Sequence, residues 1–440
     1  MKLFRFFRSI PLVWWNLGAF IAGCLAGLMI YRIGIVYGVE VRQNIVSILS
    51  PFGGVLINML KMIVVPVIFF SLLHGTASLP VKTFGKMGMW VCVWYFCTSL
   101  FSVIFGSTVA FIFDPKLDSA QQLAGGLLSQ VEGMKTAAAG GGNAFLNIIY
   151  SLFTNPFRAL ADGSFLPVIV FAILLGLACR MVLDDPGDDD SCRKMQLLLD
   201  IVDALQKAVF RIIGWVMHYF PVGVFALTAC NFAIYGVTLI QSYMQLALCV
   251  ITGIMLMLTV CYPVFMALIC QENPYPVLWK LREPVLTAFV TRSSAATLPV
   301  SLRTVQEKLH VRKELSGFTL SLGATVNMDG VCIHLPAFAI LAANLFGFEM
   351  SLAQILLMVI SVVFASIGAG GVPGGSVFLL FMVLGCFNLS PEQTSLVIAL
   401  ALGINPLLDM FETACNVAGD NIGTYVVGRK LGLIDGEPRS

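Results

Sequence analysis

Long apolar runs constrain the fold of this chain more than any other feature of its sequence. Runs of about 20 apolar residues can cross the hydrocarbon core of a bilayer as helices. Charged residues make up only 11% of the chain, whereas soluble domains carry about 25%. The sequence therefore predicts an all-α membrane protein. Up to residue 270 the apolar runs occupy residues 11–31, 45–73, 87–113, 143–183, 198–235 and 241–270.

The amino-terminal residues predict how the chain is oriented. Lys2, Arg5 and Arg8 precede the first apolar run, which is long and is not followed by a polar mature domain. This pattern favours a first membrane helix with a cytoplasmic amino terminus over a signal peptide. We expect a multi-pass protein of the plasma membrane, which in a prokaryote is the inner membrane. The net charge of +2 gives no support for nucleic-acid binding, and the sequence shows neither a nucleophile–base pair nor a metal-ligand motif. We therefore expect neither an enzyme nor an organic cofactor.

The apolar runs after residue 270 are interrupted by Gly, Ser, Pro, Asn and Asp. Residues 366–376, SIGAGGVPGGS, cannot form a regular helix, because Gly is unfavourable there and Pro lacks a backbone donor. The apolar arms on either side, 351–365 and 377–387, are each too short to span a bilayer. This pattern predicts a re-entrant hairpin whose irregular tip is buried in protein or faces water. The later apolar runs occupy residues 284–302, 315–345, 350–387 and 392–428.

A second re-entrant hairpin is predicted over residues 283–300, with its tip at residues 291–297, TRSSAAT. Each hairpin is followed by a long apolar run, so the same unit occurs at residues 284–345 and 350–428. The repetition predicts an inverted repeat. Broken segments in corresponding halves of a transporter indicate a substrate site near the bilayer midplane.

The last apolar run carries polar side chains on one helix face. Asp409, Glu412, Thr413, Asn416 and Asp420 fall within roughly 100° of one another at helical spacing. Ionisable residues are costly inside a membrane and face the protein interior. A polar contact between helices would explain them, but a site for an ammonium group and for metal cations explains them better. Hard cations such as sodium prefer oxygen ligands, which this face supplies.

A second polar cluster, GATVNMDG, occupies residues 323–330 within an apolar run. An unwound turn there would direct backbone carbonyls toward a cation. Arg292 lies in the first hairpin tip and needs an acidic partner if it is buried, and we expect that partner to be Asp409. His334 follows the turn that begins at Asn327 by about two helical turns. We interpret it as a core histidine with satisfied hydrogen bonds rather than as a proton carrier.

Six motifs give the chain a resemblance to a known family. In their order and spacing they resemble the dicarboxylate/amino acid:cation symporter family, which includes the glutamate transporters. The resemblance implies a homotrimer in the lipid bilayer, with eight transmembrane helices and two re-entrant helical hairpins in each protomer. It also implies an elevator mechanism, in which a scaffold (residues 1–86 and 114–235) holds the trimer and a transport domain (87–113 and 236–440) moves. The motifs are KMIVVP at 61–66, TNPF at 154–157, TRSSAATLP at 291–299, NMDG at 327–330, GVPG at 371–374 and NVAGD at 416–420.

The resemblance also implies roles for individual residues. Asp409 would bind the substrate's ammonium group, and Asn416 would hold its α-carboxylate. The two hairpin tips would contact the substrate through Ser294 and through the backbone near Val372 and Gly374. The complete set expected to bind substrate is Arg292, Ser294, Val331, Val372, Gly374, Asp409, Glu412, Thr413 and Asn416.

Three sodium sites are implied in the same way. One would combine Asp420 with carbonyls of Gly323, Asn327 and Asn416. A second would combine carbonyls of Thr325, Ser366, Ile367 and Ala369 with the Met328 sulfur. A third would combine Asp329 and Asn327 with Thr98, Ser99 and Tyr95.

Departures from the family pattern bear on the substrate. Members that carry acidic substrates have Arg where this chain has Glu412 and Thr where it has Val331. A carboxylate at position 412 repels an acidic side chain, and the bidentate pair that an Arg would form is lost. The family's serine/threonine transporters resemble this chain in having Glu there. We therefore expect sodium-coupled symport of a small neutral amino acid such as serine, threonine or alanine. Asn405 stands where Asp is common and Ala369 where Thr is frequent, so the cation stoichiometry stays open.

Other functions stay open at this stage. Glu412 could pair with a cationic side chain, or in its protonated form it could hydrogen-bond an acidic or polar one, with protons contributing to coupling. A cation-lined pathway would also fit an ion channel, which is a different class of protein. Two hairpin tips that converge on a site of mixed charge fit an occluded zwitterion better.

Overall fold

Helices account for nearly all of the chain that the computed structural model describes, namely residues 12–77, 85–116, 153–162, 165–185, 189–367, 374–387 and 389–435. The β-contact within those ranges is an isolated bridge between Val311 and Ile434. The all-α class predicted from the sequence is therefore confirmed. Residues 368–373, at the tip of the predicted second hairpin, lie outside the described residues, and they include Ala369 and Val372.

The described helices follow the predicted apolar runs closely. Seven helical segments within the described ranges are long and apolar enough to cross a membrane. Large apolar side chains such as Met29, Ile112 and Leu268 are exposed on them, as expected for surfaces that face lipid or neighbouring membrane helices. In chain order the helices are α1 (Leu12–Tyr37), α2 (Val39–Ala77), α3 (Gly85–Phe113), α4 (Pro156–Asp162), α5 (Phe165–Leu183), α6 (Asp189–Tyr235), α7 (Thr238–Leu256), α8 (Tyr262–Cys270), α9 (Tyr275–Lys280), α10 (Arg282–Thr291), α11 (Ser294–Glu307), α12 (Lys313–Val326), α13 (Asp329–Phe346), α14 (Leu352–Ile367), α15 (Gly375–Gly385) and α16 (Pro391–Leu431).

The long helices pack in two sets. Helices α1 and α2 pack against α6, and α5 packs against α2. Helix α3 instead packs against α13 and α7. At the end of α3, Asn344 Nδ2 donates to Asp114 Oδ1 (2.8 Å) and Gln245 Nε2 donates to the Phe113 carbonyl (2.9 Å). The adjacent Lys116 ammonium lowers the pKa of the Asp114 carboxyl, so Asp114 stays an ionised acceptor that ties α3 to α13.

A π-helical turn, Met257–Cys261, separates α7 from α8. Pro263 follows it, and because proline has no N–H and its ring crowds the carbonyl four residues earlier, a regular α-helix is disrupted here. Turns of this kind are frequent at functional sites. The turn leads directly into Tyr262, whose hydroxyl donates to Asp329 Oδ2 at 2.6 Å.

Helices α10 and α11 are joined by two non-helical residues, Arg292 and Ser293. Arg292 ends α10 in the left-handed conformation, with φ of 56°. Ser293 caps α11, because its Oγ accepts a hydrogen bond from the Ala296 amide (3.2 Å). The irregular tip is therefore shorter than the predicted residues 291–297, since this cap begins the next helix at once.

Helices α12 and α13 form one apolar segment that is interrupted at Asn327 and Met328, where the backbone leaves the helical conformation. The unwound turn predicted from the NMDG motif is present. In the most apolar 18-residue window of this segment, 94% of the residues are buried, so protein rather than lipid surrounds it. Gly330 allows α13 to cross α16 closely, because a Cβ there would collide with the Glu412 carbonyl.

Helices α14 and α15 pack against each other, and α15 packs against α16. Helix α16 begins with a capping box between Ser390 and Gln393, which satisfies its first backbone amides. It then continues to Leu431 and carries the predicted polar face. The inverted repeat, the re-entrant placement of α10–α11 and α14–α15, and the division into scaffold and transport domain stay predictions.

Candidate functional site

A small cavity lies where the α10–α11 tip, α13, α15 and α16 meet. Seven of the nine residues predicted to bind substrate line it. Gly374 lies immediately before the lining residue Gly375, and Val372 lies outside the described residues. The lining consists of Arg292, Ser294, Met328, Val331, Gly375, Ser376, Asp409, Glu412, Thr413 and Asn416.

Arg292 and Asp409 form the ion pair that the sequence predicted. The Arg292 Nε donates to Asp409 Oδ2 at 2.6 Å, and both side chains are almost fully buried. The Gly374 amide donates to the same oxygen at 3.1 Å. Both contacts use Oδ2, so Oδ1 stays available to a substrate ammonium. The two terminal nitrogens of Arg292 are buried and have no hydrogen-bond partner in the described part of the chain.

Glu412 has a partner that the sequence did not indicate. His334 Nδ1 lies 2.5 Å from Glu412 Oε2, which is hydrogen-bond distance. Both side chains are 3% exposed. The prediction of a core histidine with satisfied hydrogen bonds therefore holds for Nδ1 but not for Nε2, which is buried and has no partner in the described residues.

The amide of Asn416 links three elements around the cavity. Its Oδ1 accepts a hydrogen bond from the Gly330 amide in the first turn of α13 (2.7 Å), and its Nδ2 lies 3.3 Å from the Met328 sulfur. A helix amino terminus has backbone amides without intrahelical partners, and Asn416 satisfies one of them. Thr413 Oγ1 donates within its own helix, to the Asp409 carbonyl (2.8 Å).

Asp329 lies among hydroxyl groups, close to where the third sodium site was expected. Ser99 Oγ donates to its Oδ1 at 3.2 Å, while Tyr262 holds its Oδ2. Thr98 Oγ1 donates to Asn327 Oδ1 at 3.3 Å. Four of the five residues predicted for this site are therefore in one cluster, namely Thr98, Ser99, Asn327 and Asp329.

Asp420 lies on the other side of Asn327, whose Nδ2 donates to its Oδ1 at 3.1 Å. Tyr95 lies near Asp420 as well. A Cβ added at Gly323 would lie 2.5 Å from Asp420 Oδ1 and 2.6 Å from the Tyr95 hydroxyl. That hydroxyl donates to the Thr319 carbonyl at 2.8 Å, so Tyr95 lies next to the first expected sodium site, and its role in the third stays a prediction.

The second expected sodium site is described only in part. Thr325 Oγ1 and Ser366 Oγ donate to carbonyls of their own helices, those of Leu322 (3.0 Å) and Val363 (2.7 Å). Ile367 is the last residue of α14, and the next predicted ligand, Ala369, lies outside the described residues. The Met328 sulfur contacts Asn416, which connects this region to the substrate cavity.

Asp409 and Glu412, the carboxylates of the cavity, each have a basic partner, whereas Asp329 and Asp420 have none among the described residues. Both are buried, and in the described ranges their partners are hydroxyl and amide groups rather than basic side chains. Uncompensated charge inside a protein is costly, and hard cations bind sites of carboxylate, hydroxyl and carbonyl oxygens. The donor set around these two aspartates therefore fits alkali cations.

Three residues of the site were not found from the sequence. Gly375 and Ser376 line the cavity from the first turn of α15, directly after the predicted GVPG motif. Tyr262 binds Asp329 from α8. The sequence signal that could have indicated Tyr262 is the neighbouring Pro263. A proline inside an apolar helix marks an irregular turn, and Tyr262 directly follows that turn.

The Tyr262–Asp329 contact gives a first prediction. We expect Tyr262→Phe to raise the sodium concentration needed for half-maximal uptake about tenfold, because a hydrogen bond to a buried carboxylate is lost. Tyr243→Phe is the matched control, since Tyr243 is also buried and, unlike Tyr262, does not donate to a carboxylate in the described residues. Sodium titration of substrate uptake measures both. Equal sodium dependence of the two variants would exclude a role for Tyr262 in cation binding.

The chain is similar to known membrane transporters. The model of the sodium:dicarboxylate symporter family matches residues 12–430. Excitatory amino acid transporter 3 of Mus musculus is 30% identical, over 90% of this chain and 83% of the relative. Neutral amino acid transporter B(0) of Bos taurus is 28% identical, over 95% of this chain and 80% of the relative. The proton/glutamate-aspartate symporter of Escherichia coli (strain K12) is 28% identical, over 96% of this chain and 93% of the relative.

Proposed function

Because the chain belongs to the sodium:dicarboxylate symporter family, we propose that it is a sodium-coupled secondary symporter of small neutral amino acids such as serine, threonine and alanine. Family membership makes it a multi-pass transporter of the cell membrane rather than an enzyme. Its relatives include transporters named for acidic amino acids and others named for neutral ones, so the substrate class has to be argued from the cavity.

The pairing of charges in the cavity is the observation that supports a neutral substrate. Arg292 faces Asp409, and Glu412 faces His334. A zwitterionic amino acid adds no net charge to these pairs. An acidic side chain would instead bring a further carboxylate close to Glu412 and Asp409 in a medium of low dielectric, where repulsion between like charges is strong. The Asp409 Oδ1 atom then binds the substrate ammonium, and Asn416 holds the α-carboxylate.

Asp329 and Asp420, which have no basic partner among the described residues, support coupling to sodium. Asn327 lies between Thr98, at the third expected sodium site, and Asp420, at the first, so cations bound at the two positions would share a ligand. Met328 and Asn416 connect the same region to the cavity. Substrate binding and cation binding would then order the same unwound turn between α12 and α13, which makes each one favour the other.

We also propose the trimeric elevator arrangement of the family, with residues 1–86 and 114–235 as scaffold and residues 87–113 and 236–440 as transport domain. Helices α1, α2, α5 and α6 pack mainly against one another, with fewer contacts to α15 and α16, and this supports the division. The helices of the proposed hairpins have 10, 14, 16 and 11 residues. At about 1.5 Å per residue each is shorter than a bilayer core of about 30 Å, which supports re-entrant placement.

The experiment that tests the proposal is uptake by purified protein in liposomes with an inward sodium gradient. We expect saturable accumulation of labelled serine, threonine and alanine that is lost when potassium replaces sodium on both sides. Aspartate and glutamate should not accumulate. Current without accumulation would favour an ion channel instead, and uptake that follows a proton gradient in the absence of sodium would replace sodium by protons as the coupling ion.

One observation favours a second candidate, the transport of acidic amino acids. The two terminal nitrogens of Arg292 lack partners in the described part of the chain although they are buried beside the cavity. A guanidinium group with two free nitrogens can bind a carboxylate bidentately. Sodium-driven accumulation of aspartate, reduced by Arg292→Gln, would support this candidate, whereas serine accumulation with aspartate inert would exclude it.

A further inference from the structure

His334 lies behind the cavity wall and contacts a residue of that wall. It is on α13, does not itself line the cavity, and is 2% exposed. Its Nδ1 lies 2.5 Å from Glu412 Oε2, and Glu412 does line the cavity. The imidazole ring also packs edge-to-face on Phe338, with ring centroids 4.9 Å apart. The contact with Glu412 therefore fixes a carboxylate that a substrate can reach.

The surroundings of His334 make this imidazole costly to bury. Its Nε2 has no hydrogen-bond partner in the described residues, and an unsatisfied buried polar group is unfavourable. The neighbouring positions of α13, Ile333 and Leu335, are aliphatic and buried, so an aliphatic side chain at position 334 would avoid that cost. The hydrogen bond between His334 and Glu412 offsets the cost of burying the unsatisfied Nε2.

While His334 holds Glu412, the carboxylate can still accept a hydrogen bond from a substrate. An ionised carboxylate has two oxygens and about four acceptor positions, and His334 uses Oε2 alone. The cavity that Glu412 lines is also lined by the aliphatic Val331 and by Ser376, whose hydroxyl donates to Asn405 Oδ1 at 3.4 Å. A carboxylate, a hydroxyl group and an aliphatic surface together match a short side chain that carries a hydroxyl group.

We propose that His334 is a positioning residue that holds Glu412 as a hydrogen-bond acceptor, so that the cavity selects short side chains with a hydroxyl donor, those of serine and threonine, over alanine. This inference rests on the proposed function as a transporter of small neutral amino acids. Hydrogen bonds with an ionised acceptor are stronger than neutral ones. A site built to accept from a hydroxyl also discriminates against an analogue without it, because its polar group is then left unpaired.

The test compares serine with alanine as competitors of labelled serine uptake, in wild-type protein and in two variants of His334. For the wild type we expect serine to be at least about tenfold more potent than alanine. His334→Leu removes the donor to Glu412, so serine should lose about tenfold in potency while alanine changes less than about twofold. His334→Asn should restore the preference, because its side-chain amide nitrogen takes the place of Nδ1.

A merely structural role for His334 would give a different result. Serine and alanine would then lose potency by the same factor in His334→Leu, or neither would change, and either outcome would overturn the inference. Size-exclusion chromatography and thermal unfolding in detergent identify variants that do not fold.

A measurement on the ligand side keeps the proposal falsifiable even if His334→Leu does not fold. O-methylserine has the size and oxygen of a hydroxylated side chain but no proton to donate. In wild-type protein it should compete no better than alanine, and competition equal to that of serine would contradict the inference. If wild-type protein accumulates no neutral amino acid at all, the proposed function fails, which is distinct from accumulation of serine and alanine without preference.

Discussion

Asp409→Asn is expected to abolish sodium-dependent substrate binding, with a loss of at least about 100-fold, since removing the charged partner of a ligand's buried ammonium group costs about 2–5 kcal/mol of binding free energy. Asp409 holds Arg292 through Oδ2, and its Oδ1 is the proposed partner of the substrate ammonium. The asparagine would leave the buried guanidinium without its anion and the ammonium without its counter-charge. Calorimetric titration of purified protein with serine in saturating sodium measures the loss.

The control for Asp409→Asn is the same substitution at Asp435, whose ion pair with Arg312 is at the surface. Exposed ion pairs contribute about 0–1 kcal/mol, so Asp435→Asn should bind serine as the wild type does. The double variant Arg292→Gln/Asp409→Asn separates the two functions of Asp409. If Asp409 merely neutralises Arg292, the double variant regains binding. If Asp409 binds the ammonium, it does not. Binding by Asp409→Asn within a few-fold of the wild type would make the assignment wrong.

The parts of the site that the sequence predicted depend on local rules or on a strong energetic requirement. The face of α16 follows from helical spacing, and the unwound turn follows from a polar motif inside an apolar run. The pairing of Arg292 with Asp409 follows from the cost of burying an unpaired guanidinium, although the two residues are 117 positions apart in sequence. In each case a strong energetic requirement left few alternatives.

The parts that the sequence did not predict depend on how helices are placed against one another. His334 and Glu412 meet because Gly330 lets α13 cross α16 closely, and either side chain could have found another partner in a different helix register. Tyr262 reaches Asp329 because a π-helical turn precedes it. The first hairpin tip was predicted too long. Its composition, rich in Ser and Thr, is typical of a loop and did not show that the hydrogen bond between Ser293 and Ala296 begins α11.

Asp420→Asn is expected to remove the dependence of protein stability on sodium while leaving the folded protein intact. Asp420 is buried, and the partner the structure records for its side chain is the amide of Asn327. A cation that binds the folded state stabilises it by about 2.7 kcal/mol when its concentration is 100 times the dissociation constant. Wild-type protein should therefore unfold at a higher temperature in sodium chloride than in choline chloride, and Asp420→Asn should show little of this difference.

The same substitution distinguishes a cation ligand from a structural carboxylate. Without sodium, the wild type buries an uncompensated charge at position 420, which is unfavourable. Asp420→Asn removes that charge and keeps an oxygen and a similar volume, so in choline chloride it should be at least as stable as the wild type. A structural carboxylate would give the opposite result, a variant that is less stable in both salts and is still stabilised by sodium.

Asp200→Asn, at an exposed position where the carboxylate accepts from Gln196, should match the wild type in both salts. Thermal unfolding of the three proteins in the two salts thus decides whether Asp420 binds the coupling cation.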